Sequence, residues 1–181
     1  CFLAGTMIAT PDGEVKVEDL KIGDPIVTAS GATVPVKWVG TQTLKNSILL
    51  SEKSAPVCIK TGALGPDLPH TDLYLTSNHG MIIDDLVVNA GALVNGDTIT
   101  FVPLSEMPEQ FTYYHVETED HDEILANGAA SETFVDYASR RDFDNYDEYL
   151  NLYGCERIIP EMKRARIAAS RQLPQDLTSR F

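Results

Sequence analysis

The chain has 181 residues, 43% of them hydrophobic, with 14 Lys+Arg set against 27 Asp+Glu for a formal net charge of −13. That length suits one domain with an appendage and can bury a real core, so the apolar content excludes a disordered tail. The acidity argues against a nucleic-acid partner, no run of eighteen apolar residues could span a membrane, and the N-terminus lacks the basic-then-apolar pattern of a signal peptide, so any targeting information is expected upstream.

Residues 1 to about 135 read as β. The first candidate strands are Glu14–Val17, Pro25–Thr28 and Val34–Val39, rich in β-branched residues and divided by turn signals at Pro11-Asp12-Gly13 and Ser30-Gly31. Ala55–Lys60, Leu73–Thr76, Met81–Ile83, Leu86–Val88, Thr98–Val102, Thr112–Glu117 and Glu123–Ala126 continue the series. Many short strands with no long helix between them indicate an all-β sheet system. Leu20-Lys21-Ile22-Gly23-Asp24-Pro25-Ile26 recurs 73 residues later as Leu93-Val94-Asn95-Gly96-Asp97-Thr98-Ile99. A single Leu-x-x-Gly-Asp-x-Ile repeat is too few for a solenoid and fits two similar β units about a pseudo-twofold axis.

After about Val135 the texture changes. Tyr146, Tyr149, Leu150 and Tyr153 fall at i, i+3, i+4 and i+7, which predicts a helix with one apolar face, stopped by Gly154. Pro160 at an allowed first-turn position is expected to open a second helix over Glu161–Ala169. The whole tail is expected to be a helical appendage packed through its Tyr/Leu face.

Three cysteines, Cys1, Cys58 and Cys155, form neither a CxxC pair nor a disulfide framework, and one thiol is left over however the other two behave. Cys58 sits in an apolar strand and reads as a small buried hydrophobe. None of His70, His79, His115 and His121 lies in a zinc-ligand spacing, so no metal or cofactor is expected. His70 reads as solvated, His115 as a hydrogen-bonded sheet residue, and His79 follows a hydroxyl by three positions in Thr76-Ser77-Asn78-His79.

Together these pieces resemble a known family. Cys1-Phe2-Leu3-Ala4-Gly5-Thr6, with Gly13-Glu14-Val15-Lys16-Val17-Glu18-Asp19-Leu20 and Lys21-Ile22-Gly23-Asp24 behind it, is similar to the first block of Hint (Hedgehog/intein) autoprocessing domains. Thr76-x-x-His79 matches their Thr-x-x-His block. Tyr114-His115-Val116 through His121 to Ala126-Asn127-Gly128 resembles their late block. Trp38-Val39-Gly40, Gly62-Ala63-Leu64-Gly65 and the segment Ser131–Asp136 are similar to the bacterial intein-like branch. The resemblance spans residues 1–136 and implies a β horseshoe of two pseudo-twofold-related units, followed by a helical C-terminal extension, 137–181. It also implies a bacterial, secreted setting.

The resemblance makes Cys1 the nucleophile that attacks the carbonyl preceding it, an N-to-S acyl shift whose substrate is an upstream polypeptide in cis. His79 would protonate the leaving nitrogen, Thr76 would hold the scissile peptide or His79, and His121 would stabilise the intermediate or activate the acyl acceptor. Inteins place His-Asn three residues beyond the Ala-Asn-Gly block, and the Asn cyclises. Here Glu132-Thr133 stands there, so splicing by Asn cyclisation is not expected, and the thioester is left to water or an external nucleophile. Two other readings are an N-terminal-nucleophile amidohydrolase, in which the α-amine of Cys1 serves as base, and a binding or assembly module using the acidic surface or the tail.

Overall fold

The computed structural model describes residues 1–135 and 139–181. Its first unit holds β1 (Phe2–Leu3), β2 (Met7–Thr10) and β3 (Gly13–Lys16), a 3-10 turn at Val17–Asp19, then β4 (Pro25–Val27), β5 (Thr33–Pro35), β6 (Trp38–Lys45) and β7 (Val57–Ile59). Next come β8 (Leu73–Leu75), β9 (Gly80–Ile83) and β10 (Leu86–Asn89), a 3-10 turn at Ala90–Leu93, β11 (Ile99–Phe101), β12 (Gln110–Glu117), β13 (Glu123–Ala126) and β14 (Ala129–Glu132). The extension adds helix α1 (Tyr146–Tyr153), β15 (Arg166–Ile167) and the one-turn helix α2 (Gln175–Thr178).

The repeat is a structural one. The same shift of 73 residues carries β2 onto β9 and β3 onto β10, and places both 3-10 turns at equivalent points. Leu20 and Leu93, and Ile26 and Ile99, are buried in one core, while Gly23 (φ 90°) and Gly96 (φ 76°) turn the chain where a side chain would be strained. The two units cross at β1 and β8, where Phe2 pairs with Leu75. Six strands form one sheet in the order β11-β7-β8-β1-β12-β6, and seven form another in the order β15-β10-β9-β14-β13-β2-β3, with β4-β5 as a separate ribbon. The chain is thus mostly β, with open sheets arranged as two related halves and a small helical part at its C-terminus.

Several expectations are corrected in detail. The run Val34–Val39 is not one strand: β5 pairs with β4, whereas from Lys37 onward the chain turns to β12, the Lys37 N–H bonding the Glu117 carbonyl at 2.8 Å. β1, β2 and β14 lie outside the runs that the sequence marks as strands. β14 arises because Asn127 (φ 47°) and Gly128 (φ 82°) form a two-residue left-handed turn that pairs Ala126 with Ala129. The helix expected over Glu161–Ala169 is absent. Arg166 and Ile167 instead lie parallel to Val87 and Val88, and the Val87 N–H bonds the Ala165 carbonyl at 2.9 Å. Helix propensity is a weak preference, and here the unpaired edge of β10 and a buried partner for Arg166 override it.

Helix α1 is where the sequence places it. Gly154 (φ 76°) ends it, its N–H bonding the Leu150 carbonyl at 2.7 Å. Asn145 docks the helix rather than capping it: its side chain accepts the Thr41 N–H at 2.9 Å and donates to the Val39 carbonyl at 2.8 Å. Tyr149 is fully buried beside Trp38, with ring centroids 5.1 Å apart, in a cluster with Phe134, Phe143 and Ile159. The expected boundary at 136/137, and Asp136 of the Ser131–Asp136 segment, lie outside the described residues. Among the described residues, no helix is long and apolar enough to cross a membrane.

If the extension is part of the folded unit, Tyr149→Ala should destabilise the whole chain by about 3–5 kcal/mol, the usual cost of truncating a buried aromatic. Urea unfolding followed by tryptophan fluorescence reads this at Trp38. A loss below about 1 kcal/mol would mean that α1 packs too loosely to matter.

Candidate active site

Cys1 stands at the start of β1, which is paired on one side with β8 and on the other with β12. Thr76 leaves the end of β8, and a tight turn brings His79 to the start of β9, its N–H bonding the Thr76 carbonyl at 3.1 Å. The crossing of the two units therefore sets Thr76 and His79 against Cys1. The Thr76 N–H donates to the Cys1 carbonyl at 2.9 Å, and the Cys1 amino nitrogen lies 3.0 Å from Thr76 Oγ1 and 2.7 Å from His79 Nδ1. In a chain continuing upstream, that nitrogen would be the peptide nitrogen of the bond before Cys1.

A cavity of about 270 Å³ opens beside Cys1, lined among others by Thr76, Asn78, His79, His115 and Glu132. His79 and His115 are almost wholly buried, and their rings stand perpendicular with centroids 5.3 Å apart. Burial, the neighbouring Cys1 amine, His115 and Arg166 push the His79 imidazole well below its ordinary 6.5, and only the Glu132 backbone, outside good hydrogen-bond geometry, pulls the other way. Burial likewise drives the Cys1 amine down from 8.0 to about 4, although Glu132 opposes it. Both nitrogens facing each other at 2.7 Å are therefore neutral at physiological pH. His115 also differs from its expected role. It is stacked on Phe143 and edge-on to Phe134, its buried Nδ1 has no hydrogen-bond partner among the described residues, and burial followed by the Cys1 amine and His121 lowers its pKa well below 6.5.

His121 is not brought to this cavity. Its Nδ1 accepts the Met162 N–H at 2.9 Å, so the ring hydrogen sits on Nε2 and is donated to Glu132 Oε2, also at 2.9 Å. Both ring nitrogens are thus engaged in a buried network behind His79. Its hub is Glu132, whose Oε1 accepts the Gly80 N–H at 2.8 Å and which is ion-paired with Arg166 of the extension. Burial pushes the Glu132 carboxyl up, but the hydrogen bonds from His121 and Arg166, the Arg166 charge and the Gly80 N–H outweigh it and hold the group ionised. Thr133 is turned away, its hydroxyl accepting the Asp122 N–H at 2.9 Å.

The remaining candidates lie elsewhere. His70 sits at the surface, bonded to Glu14 at 2.8 Å. Cys58 is buried as expected, Cys155 is exposed, and none of the three cysteines forms a disulfide. Sequence reasoning did not single out Gln42, Asn78, Glu132 or Arg166 as parts of the site. The sequence marks Glu132 only as the residue standing where inteins have an imidazole, and its helix-forming run puts Arg166 in a helix.

With this geometry established, comparison with known proteins defines the family. The model of the Hint domain family matches residues 1–138, and the chain belongs to that family of self-processing modules. Solved structures agree in fold. The MchDnaB-1 intein (N145AA) superposes with a TM-score of 0.53 at 15% identity, covering 73% of this chain and 99% of its own. The Msm DnaB1 intein splicing domain bound with zinc gives 0.52 at 14% identity, covering 72% and 98%. A bacterial intein-like domain from Clostridium thermocellum gives 0.51 at 17% identity, covering 74% and 97%. No curated protein sequence matches the chain.

The two buried imidazoles carry a sign-definite prediction. Unfolded histidines gain protons as pH falls through about 6.5, whereas His79 and His115 stay neutral in the fold. Their contribution to stability is therefore complete above about 6.5 and eroded as pH falls below it. The thermal midpoint should drop between pH 7.5 and 5.5, and His115→Phe, which keeps the ring packing, should flatten that drop. Parallel pH slopes in the two proteins would contradict the burial of a neutral His115.

Proposed function

We propose that this Hint domain cleaves the peptide bond preceding Cys1 in a longer chain, through a thioester on Cys1 Sγ. The observation that carries this reading is the 2.7 Å contact between the Cys1 nitrogen and His79 Nδ1. The nitrogen that must leave faces the group able to protonate it, in a pocket that already holds the Cys1 carbonyl through the Thr76 N–H.

The steps balance in atoms and protons. The thiol gives up its proton to neutral His79, and the thiolate adds to the carbonyl carbon of the upstream residue, forming a C–S bond and a tetrahedral oxyanion. Thr76 Oγ1, at 3.0 Å from the nitrogen, holds the reacting peptide while the intermediate forms. The C–N bond then breaks, and the nitrogen takes the proton from His79 Nδ1, which returns to neutral. The lowered basicity of His79 suits this traffic, because the imidazole begins neutral and parts readily with the proton it accepts. Water, or an external amine, thiol or alcohol, then displaces Cys1 Sγ and releases the upstream polypeptide as substrate in cis.

A second cut has no comparable support. Inteins need an Asn to cyclise, and Thr133 has no amide nitrogen to close a succinimide. Glu132 holds an ionised carboxyl against Arg166 rather than an imidazole. His121, with both nitrogens engaged, fits a supporting role better than activation of the acceptor.

The test is a precursor with about ten residues ahead of Cys1, followed with and without dithiothreitol. Thiol should accelerate scission, Cys1→Ala should abolish it, and His79→Ala should slow it by about 10²–10⁴-fold, the usual worth of a positioned acid–base group. A precursor stable with and without thiol would sink the proposal. Because burial displaces His79 downward, the rate should show no inflection near pH 6.5. An inflection there that vanishes in His79→Gln would show that His79 titrates normally in the precursor.

A further inference from the structure

The Hint family match ends at residue 138, yet Met162 and Arg166 beyond it reach back toward His79. Arg166, on β15, bonds both oxygens of Glu132, with Nη1 3.2 Å from Oε1. Of its other donors, Nε is held by Glu161 at 2.8 Å and Nη1 also by Asn89 at 2.7 Å. Met162 fixes His121, which donates to the same carboxylate. Glu132 in turn accepts the N–H of Gly80, the residue directly after His79.

Gly80 shows how closely this carboxylate presses on the backbone. A Cβ built there would stand 2.9 Å from Glu132 Cδ and 2.3 Å from Val87 Cγ1. Only glycine leaves Glu132 room to reach the main chain. Besides the Ser77 carbonyl, which accepts the Gly91 N–H at 2.8 Å, the turn 76–79 is pinned at three points around His79: the His79 N–H on the Thr76 carbonyl, the His79 carbonyl on the Ala90 N–H at 2.9 Å, and the Gly80 N–H on Glu132. The third pin depends on a buried carboxylate, which persists as an anion only while a cation offsets its desolvation.

We propose that Arg166 and Glu132 are positioning residues for the first cut: the extension's guanidinium holds the carboxylate that anchors the turn presenting His79 to the Cys1 nitrogen. This inference rests on the cleavage reading above. The extension is then a working part of the module rather than an appendage. The charged or titratable groups acting on His79 are the Cys1 amine, His115, Glu132 through its backbone, and Arg166, so loss of the guanidinium also changes the field at the imidazole.

Cleavage of the same precursor should be compared for wild type, Arg166→Met, Arg166→Lys, the double variant Glu132→Gln with Arg166→Met, and the exposed control Arg171→Met. In parallel, the His79 imidazole is titrated by long-range ¹H–¹⁵N NMR in the chain that begins at Cys1. Arg166→Met should slow thiol-induced cleavage about tenfold or more, the scale of a small misplacement of a catalytic group. It should also move the His79 titration upward, because a nearby positive charge is gone. Arg166→Lys should restore part of the rate as a point charge without the bidentate fork. The double variant should cleave faster than Arg166→Met alone, since a Gln carbonyl still accepts the Gly80 N–H and leaves no unpaired charge. Arg171→Met should match wild type. Equal rates in all variants with an unmoved His79 titration would overturn the inference, as would a double variant as slow as Arg166→Met with that titration unmoved. If the wild-type precursor itself fails to cleave, the proposed function falls, and the His79 titration alone decides the positioning role. Should Arg166→Met fail to fold, the double variant and Arg166→Lys carry the comparison.

Discussion

The contact between Cys1 and Thr76 depends on how two β units cross, and most of the site's properties follow from that crossing. β1 is only two residues long, too short to be stable alone, yet it is paired on both edges, with β8 and with β12. Phe2 is fully buried there and packs on the His79 ring, with centroids 4.4 Å apart. The same short strand therefore fixes the Cys1 backbone and supports the imidazole that faces it. A nucleophile at a chain start would ordinarily fray, because terminal residues have few partners. Here both the Cys1 carbonyl and the Cys1 nitrogen are hydrogen-bonded to one residue, Thr76, so that Cys1 is held on either side of its Cα.

A second constraint is the placement of buried anions in an acidic chain. Glu117 and Glu132 are both almost fully buried, and each meets a cation from beyond residue 138. Arg140 Nε lies 2.6 Å from Glu117 Oε1, with its guanidinium between the rings of Phe134 and Tyr149, and Arg166 meets Glu132. Stripping one partner from a buried pair costs about 3–5 kcal/mol, because the remaining charge has no water to return to. The described part of the extension is accordingly bound into the domain by charge as well as by the Trp38 cluster. Its sequence alone, acidic and Tyr-rich and then Arg-rich, gives no sign of this mutual dependence.

What could be read from the chain in advance follows from which signals are local. Alternating β-branched runs, the Leu-x-x-Gly-Asp-x-Ile repeat and the 3.6-residue spacing of Tyr146, Tyr149 and Tyr153 depend on neighbours in sequence, and they located most strands, the doubling and α1. Cys1, Thr76 and His79 were legible together only through resemblance to a family, since Thr-x-x-His by itself is too common to mean anything. β1 was invisible because two residues carry no periodicity and its pairing is wholly long-range. The Glu161–Ala169 run has genuine helix-forming residues, but an open strand edge and one buried carboxylate outweighed them. His115 follows the same rule: its place in a strand is readable, whereas the cavity its ring borders is made by residues from five other stretches of the chain.

The state of the Cys1 amine also bears on the direction of the proposed reaction. An amine held at a pKa of about 4 keeps its lone pair at neutral pH, so a site of this kind does not trap a thioester by protonating the nitrogen it has released. The amide is the more stable partner, and the neutral amine beside Cys1 Sγ is well placed to reverse the shift. Net cleavage must then be drawn forward by whatever removes the acyl group from sulfur. Glu132 opposes the fall in amine pKa, but burial is the larger effect, and the carboxylate's charge is already committed to Arg166. On this account the domain catalyses a reversible first step, and the acceptor that reaches the cavity beside Cys1 draws that step forward to release of the upstream chain.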